Sequence, residues 1–178
     1  MDLLLHICCA PCSIYPIERL KERGYHITGY FYNPNIHPYQ EFKRRRETLK
    51  QYAALIDLEV IYENEYPLVE FLTGSLNYPG FRCDYCYEIR LDKSFQKAKS
   101  LGIKNVSTTL LVSPYQKHDR IKEIGFNLAS KYGLNFIYED FRPGYRAAYQ
   151  KAKELELYRQ PYCGCIFSEK ERYYKEGK

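Results

Sequence analysis

The chain has 178 residues, a length that folds as one domain and buries roughly two thirds of the surface its unfolded form would expose. Its seven cysteines are an odd number, which excludes complete intramolecular pairing. A chain this long needs no cross-links for stability, so thiolate chemistry or metal binding is their expected use. The 27 Lys and Arg against 22 Asp and Glu leave a formal charge of +5, and they come with 20 tyrosines and no tryptophan. Basic side chains attract phosphate and aromatic faces stack on bases, a mixture that suits an RNA partner without proving one.

In chain order, residues 2–7 read as an apolar strand that runs into Cys8 and Cys9. Asp2 precedes an apolar run of only Leu3 to Leu5, which is no signal peptide, and no stretch approaches the ~20 apolar residues of a membrane span. The expectation is a cytoplasmic protein without a membrane partner. Adjacent residues on a strand point to opposite faces, so Cys8 and Cys9 share a target only where the strand gives way to a turn. Residues 12–23 read as a helix closed by Gly24, and 26–32, β-branched and aromatic, as a second strand. "NPNIHP" is a loop. Residues 39–56 carry Phe42, Leu49, Tyr52, Ala53 and Ile56 at helical spacing, and 58–62 read as a third strand.

A less regular stretch follows, with a short helix at 67–73 and a turn-rich "GSLNYPGFRC". A helix over 84–101 then has Asp84 as its natural N-cap and Gly102 as its stop. A strand at 105–109, a helix at 116–132 with Gly133 behind it and a strand at 135–138 complete the alternation. The tail brings an amphipathic helix and then "PYCGCIFSEKERYYKEGK", expected to pack back on the sheet so that residues 1–178 make a single α/β domain. Strands separated by helices imply a mostly parallel, Rossmann-like sheet covered on both faces, an architecture shared with ATP-pyrophosphatase and nucleotide alpha hydrolase folds. Ligands then collect beyond the carboxyl ends of the strands, where Cys8 and Cys9 lie.

Three cysteine groups carry the chemistry. Cys83 and Cys86, in "CDYC" at a loop-to-helix junction, stand one helical turn apart and so face one way, and helix N-terminal amides favour their thiolate forms. Joined by Cys8 and Cys9, they would make an all-cysteine shell that fits either structural zinc or a [4Fe-4S] cluster. Zinc sites of this kind usually pair two C-x-x-C knuckles, which an adjacent CC is not, yet spacing does not choose. In "CGC", a bond between Cys163 and Cys165 needs a tight turn that Gly164 permits. The small ring would be strained and easily reduced, a plausible two-electron store; two further ligands or inert thiols are the alternatives. Cys12 is either a spare ligand or a small buried residue.

Together, "HICCAPCS", "FYNPNIHPYQEFKRR", "RCDYCYEIRL" and "YCGCIFSE" closely resemble the cobalamin-independent QueH family of epoxyqueuosine reductases, over essentially the whole chain. The resemblance implies reduction of epoxyqueuosine to queuosine at the wobble position of tRNA, with an external electron donor. It implies a [4Fe-4S] cluster on Cys8, Cys9, Cys83 and Cys86, and a redox-active pair in Cys163 and Cys165. It also implies a second metal ion, expected to be iron, with Asp84 and Cys12 as candidate ligands. Around these, His6 is expected in the core and His37 at the substrate. Arg82 is expected at a phosphate or beside the cluster, and some of Lys43 and Arg44 to Arg46 on tRNA phosphates. Two other functions compete: a nucleotide-dependent tRNA thiolation enzyme, whose glycine-rich phosphate loop "CCAPC" lacks, and a noncatalytic zinc-stabilised RNA-binding domain.

Overall fold

The computed structural model describes residues 1–176. Among these residues five parallel strands, β1 (Asp2–His6), β2 (His26–Phe31), β3 (Val60–Tyr62), β4 (Asn105–Thr108) and β5 (Asn135–Phe136), stand in the order β3-β2-β1-β4-β5. The central β1 pairs β2 from Asp2 opposite His26 and β4 from Leu3 opposite Asn105. Leu3, Leu4 and Leu5 are all fully buried, as successive residues must be in a parallel strand covered on both faces.

Among the described residues seven helices connect and cover the sheet: α1 (Ala10–Glu22), α2 (Tyr39–Leu55), α3 (Leu68–Asn77), α4 (Arg82–Ser100), α5 (His118–Tyr132), α6 (Tyr145–Glu154) and α7 (Ile166–Tyr173). Helix α1 packs against α2 and α6, and α4 against α3 and α5. Glycines with positive φ follow α1, α4 and α5, namely Gly24 at +82°, Gly102 at +73° and Gly133 at +66°, the left-handed stops expected of them. Among the described residues no helix is long and apolar enough to cross a membrane.

From β1 the chain steps outward through β2 to β3, then returns across β1 to lay down β4 and β5. The order therefore reverses between β1 and β4, and the loops leaving their carboxyl ends diverge and open a crevice. This crevice receives the segments that follow β1, precede α4 and precede α7.

Two expectations about the middle of the chain are corrected. Helix α3 continues to Asn77 instead of ending near 73, because Gly74 lets the Tyr85 ring of α4 lie directly on it; a Cβ there would stand 2.0 Å from the Tyr85 hydroxyl oxygen. Helix α4 starts at Arg82 with Phe81 as its N-cap, so Asp84 lies inside the first turn and is no cap. In the tail, α6 lies on α1, and Gly144 meets the Tyr15 ring so closely that a Cβ would fall 2.1 Å from it.

Candidate metal and redox centre

Where β1 ends, Cys9 is the extended N-cap of α1 (φ −167°) and Pro11 occupies the first turn. One turn of helix then returns Cys12 toward Cys9. The Sγ atoms of Cys8, Cys9 and Cys12 consequently lie within 4.8 Å of one another, with Cys8 and Cys9 3.8 Å apart. Donors from two other segments serve these sulfurs. Thr109, just beyond β4, accepts from the Cys8 amide at 3.1 Å and donates to Cys8 Sγ at 3.4 Å. Gln160 Nε2 stands 3.1 Å from Cys9 Sγ and 3.5 Å from Cys12 Sγ.

Hydrogen bonds from Cys12 and Cys9 hold the Cys8 thiol well below its usual range. Cys12, whose proton serves Cys8, is pushed well above the thiol range, and burial raises Cys9. One of the three carries charge readily, while the bond to Cys8 resists charging Cys12 and burial resists charging Cys9; a cation among them would offset that resistance.

Cys83 and Cys86 lie on the first turns of α4 and line a cleft of about 160 Å³ with Cys163 and Cys165. An adjoining cleft of about 480 Å³, open to solvent, is lined by Cys8, Cys12, Thr109, Gln160 and again Cys163. The two share Arg90, Tyr115, Gln116, Cys163, Ser168 and Glu171. Cysteines from all three segments therefore open on one continuous crevice. The expectation that helix amides lower the α4 thiols is reversed, since burial raises Cys83 and pushes Cys86 up to about 12. A cation at this end would offset that resistance as well. Among the described residues the triad is the only group of three metal-ligating side chains within 4.8 Å of one another, so Cys83 and Cys86 stand off from it; thiolates around a multi-iron core spread wider than those around one ion.

The CGC segment is held from behind. Arg45, 2% exposed, donates to the carbonyls of Cys163 at 2.8 Å and Tyr162 at 3.0 Å, and to Glu41 Oε1 at 2.7 Å. The Tyr158 hydroxyl donates to the other Glu41 oxygen at 2.7 Å. The His37 amide donates to the Gly164 carbonyl at 2.8 Å, and His37 Nδ1 accepts from the Ile166 amide at 3.3 Å while Nε2 donates to the Pro34 carbonyl at 3.0 Å. Gly164 permits this approach, since a Cβ would stand 3.0 Å from Asn35 Nδ2 and 3.3 Å from Arg45 Nη1. Both cysteines are free thiols. Gln116 Nε2 donates to Cys163 Sγ at 3.3 Å, and Cys165 Sγ, at the N-cap of α7, accepts from the Ser168 amide at 3.4 Å.

His37 is thus buried scaffold and not a substrate contact, because the loop it sits in is the seat of the CGC segment. Arg45 is spent on the same seat. Lys43 and Arg44 stay exposed, with Arg44 4.4 Å from the Tyr158 ring centre, and Arg46 is tied to Glu47 and Asn64. Arg82 lines the crevice, pairs with Glu171 and lies 5.1 Å from the Phe167 ring centre. Asp84 turns toward α5, where Arg120 Nε donates to Oδ2 at 3.2 Å. His6 is in the core as expected, bonded to Thr108 Oγ1 at 2.9 Å and the Tyr32 carbonyl at 3.1 Å, and burial lowers its pKa to about 4.

A family model described as "Epoxyqueuosine reductase QueH" matches residues 3–171. The chain belongs to this family. A relative of that name from Dehalococcoides mccartyi is 39% identical over 97% of this chain and 95% of its own. Another from Thermotoga maritima is 36% identical over 99% and 94%. Among solved structures, a "U34-tRNA thiolase NcsA from Methanococcus maripaludis with its [4Fe-4S] cluster" superposes with a TM-score of 0.62 at 13% identity, covering 94% of this chain and 61% of that one. A predicted subunit of a tRNA methyltransferase from Methanocaldococcus jannaschii gives 0.55 at 16%, covering 86% and 75%. At such identities the likeness shows the fold alone, a mostly parallel sheet covered by helices on both faces, as expected above. By family the chain is an oxidoreductase.

Proposed function

We propose that this chain reduces the epoxide of epoxyqueuosine in tRNA to the alkene of queuosine, on a centre assembled from its three cysteine segments. The observation that carries the proposal is the crevice at the sheet's switch point, onto which all three segments open in a chain of this family. The overall change is fixed by chemistry. The epoxide oxygen leaves as water, a carbon–carbon double bond forms, and two electrons and two protons are consumed.

Cys8, Cys9, Cys83 and Cys86 would hold a [4Fe-4S] cluster. The fit rests on buried thiols that resist charge until a cation arrives and on donors already placed at the sulfurs, the supporting contacts that metal-site ligands usually have. When bound, such a cluster supplies electrons one at a time. Cys12, within 4.8 Å of Cys8 and Cys9, is the thiol left for a second ion, expected to be iron; Asp84, engaged by Arg120, is the weaker candidate. Oxidation of Cys163 and Cys165 to a disulfide releases two electrons and two protons, which matches the demand of one epoxide. The Gln116 bond to Cys163 Sγ stabilises developing charge on that sulfur, and the Arg45 and His37 contacts keep the segment over the crevice. An external donor then restores the dithiol. Exposed Lys43 and Arg44 are offered to tRNA phosphates, and a tRNA substrate implies a cytoplasmic enzyme.

The test is anaerobic reconstitution with iron and sulfide, incubation with reductant and tRNA bearing the epoxide, and mass analysis of the released nucleosides. Queuosine is expected. Unchanged epoxyqueuosine from protein that holds iron and sulfide would overturn the proposal, and colourless protein with zinc and no acid-labile sulfide would favour the noncatalytic reading instead.

A further inference from the structure

Arg90 is 2% exposed and sits on α4 one turn beyond Cys86, whose carbonyl accepts from its Nε at 2.9 Å. Its guanidinium carries a charge that proteins do not remove and five N–H donors that need partners. Yet Nη2 is buried with none. Twelve other basic side chains reach a carboxylate within 4.0 Å, but among the described residues no Asp or Glu reaches Arg90. The Tyr87 ring lies beside it, its centre 5.9 Å from the guanidinium carbon.

A buried ion with no counterion is strongly destabilising, so something anionic must complete this environment. Arg90 lines both parts of the crevice, the one with Cys83, Cys86, Cys163 and Cys165 and the one with Cys8 and Cys12. Thiolate sulfur is the anion this crevice offers, from Cys8, Cys86 and Cys163 around the guanidinium. A tRNA phosphate is a poorer candidate, because the backbone of a nucleic acid would have to enter where a side chain of α4 is already sealed off.

We infer that Arg90 is the fixed countercharge of the thiolate centre, a positioning residue whose unpartnered Nη2 donates to sulfur there. The inference rests on the reading that these cysteines hold an iron–sulfur cluster. A permanent positive charge and an N–H to sulfur both favour the more negative, reduced state, so Arg90 raises the reduction potential and retains the cluster.

The experiment compares the reconstituted parent with Arg90→Lys, Arg90→Gln and Arg90→Met, measuring iron and sulfide content, the potential by redox titration, and the thermal midpoint as a check of folding. Removing the charge is expected to lower the potential or to release the cluster from a folded chain, and Arg90→Lys to lie closer to the parent. In the parent grown with guanidino-nitrogen-15 arginine, the reduced cluster should show a nitrogen coupling that Arg90→Lys lacks; this decides the matter even where a variant fails to fold. A folded Arg90→Met with the parent's cluster content and potential overturns the inference, as does a parent with no such coupling. So does a lysine variant that loses the cluster as fully as methionine does. A parent that binds no iron and sulfide overturns the underlying reading and this inference with it.

Discussion

Cys163 is used at both ends: its sulfur faces Gln116 in the crevice, while its carbonyl is gripped by the buried Arg45. Replacing the sulfur and replacing the grip should therefore have different consequences. Cys163→Ser is expected to keep its iron and sulfide but to lose multiple turnover; full turnover under the parent's reductant would remove the dithiol from the account. Arg45→Met breaks both carbonyl bonds and leaves Glu41 half-served in a buried pair, a loss of about 3–5 kcal/mol. Thermal unfolding should show that loss, and Cys163 should be alkylated faster than in the parent; an unchanged alkylation rate would mean the grip does not position the segment. The thiols themselves were legible in the sequence because their spacing is chemical information. Arg45 was not, since three consecutive arginines look alike until α2 is packed and only one of them faces inward. His37 misled for a similar reason: a histidine in a proline-rich loop reads as exposed until the loop is found under Gly164.

At the scale of elements, the centre depends on how closely α6 can lie on α1, because α6 delivers the chain that carries Gln160 and the CGC segment. That approach uses Gly144, where a Cβ would fall 2.1 Å from the Tyr15 ring. Gly144→Ala is expected to cost ~1–3 kcal/mol through overpacking, at roughly 2–4 °C of melting temperature per kcal/mol for a chain of this length. An unchanged midpoint would show that the contact yields freely. The alternation of strands and helices and the glycine stops were legible from period and turn chemistry. The continuation of α3 through Gly74 was not, because the sequence presents that glycine as a breaker and only the Tyr85 ring above it shows its use. Thr109, at the carboxyl end of the strand beside β1, was within reach of the rule that ligands gather there; Gln116 and Gln160 carried no local signal at all.

The whole molecule places its chemistry at the one edge of the sheet where strand order reverses, and it carries a net charge of +5 with Lys43 and Arg44 exposed. Affinity for tRNA should therefore fall steeply with salt, and Lys43→Ala with Arg44→Ala should flatten that dependence. An affinity that barely changed between low and moderate salt would contradict a phosphate-led interface. The parallel sheet was legible in the sequence, whereas the meeting of residues 8–12, 83–86 and 163–165 at one crevice was implied by family likeness and is set by topology. The most direct measurement of that meeting is the iron and acid-labile sulfide bound per chain by Cys83→Ser/Cys86→Ser after anaerobic reconstitution. The account predicts loss of the cluster although Cys8, Cys9 and Cys12 are intact; a parent-like content of both iron and sulfide would contradict it.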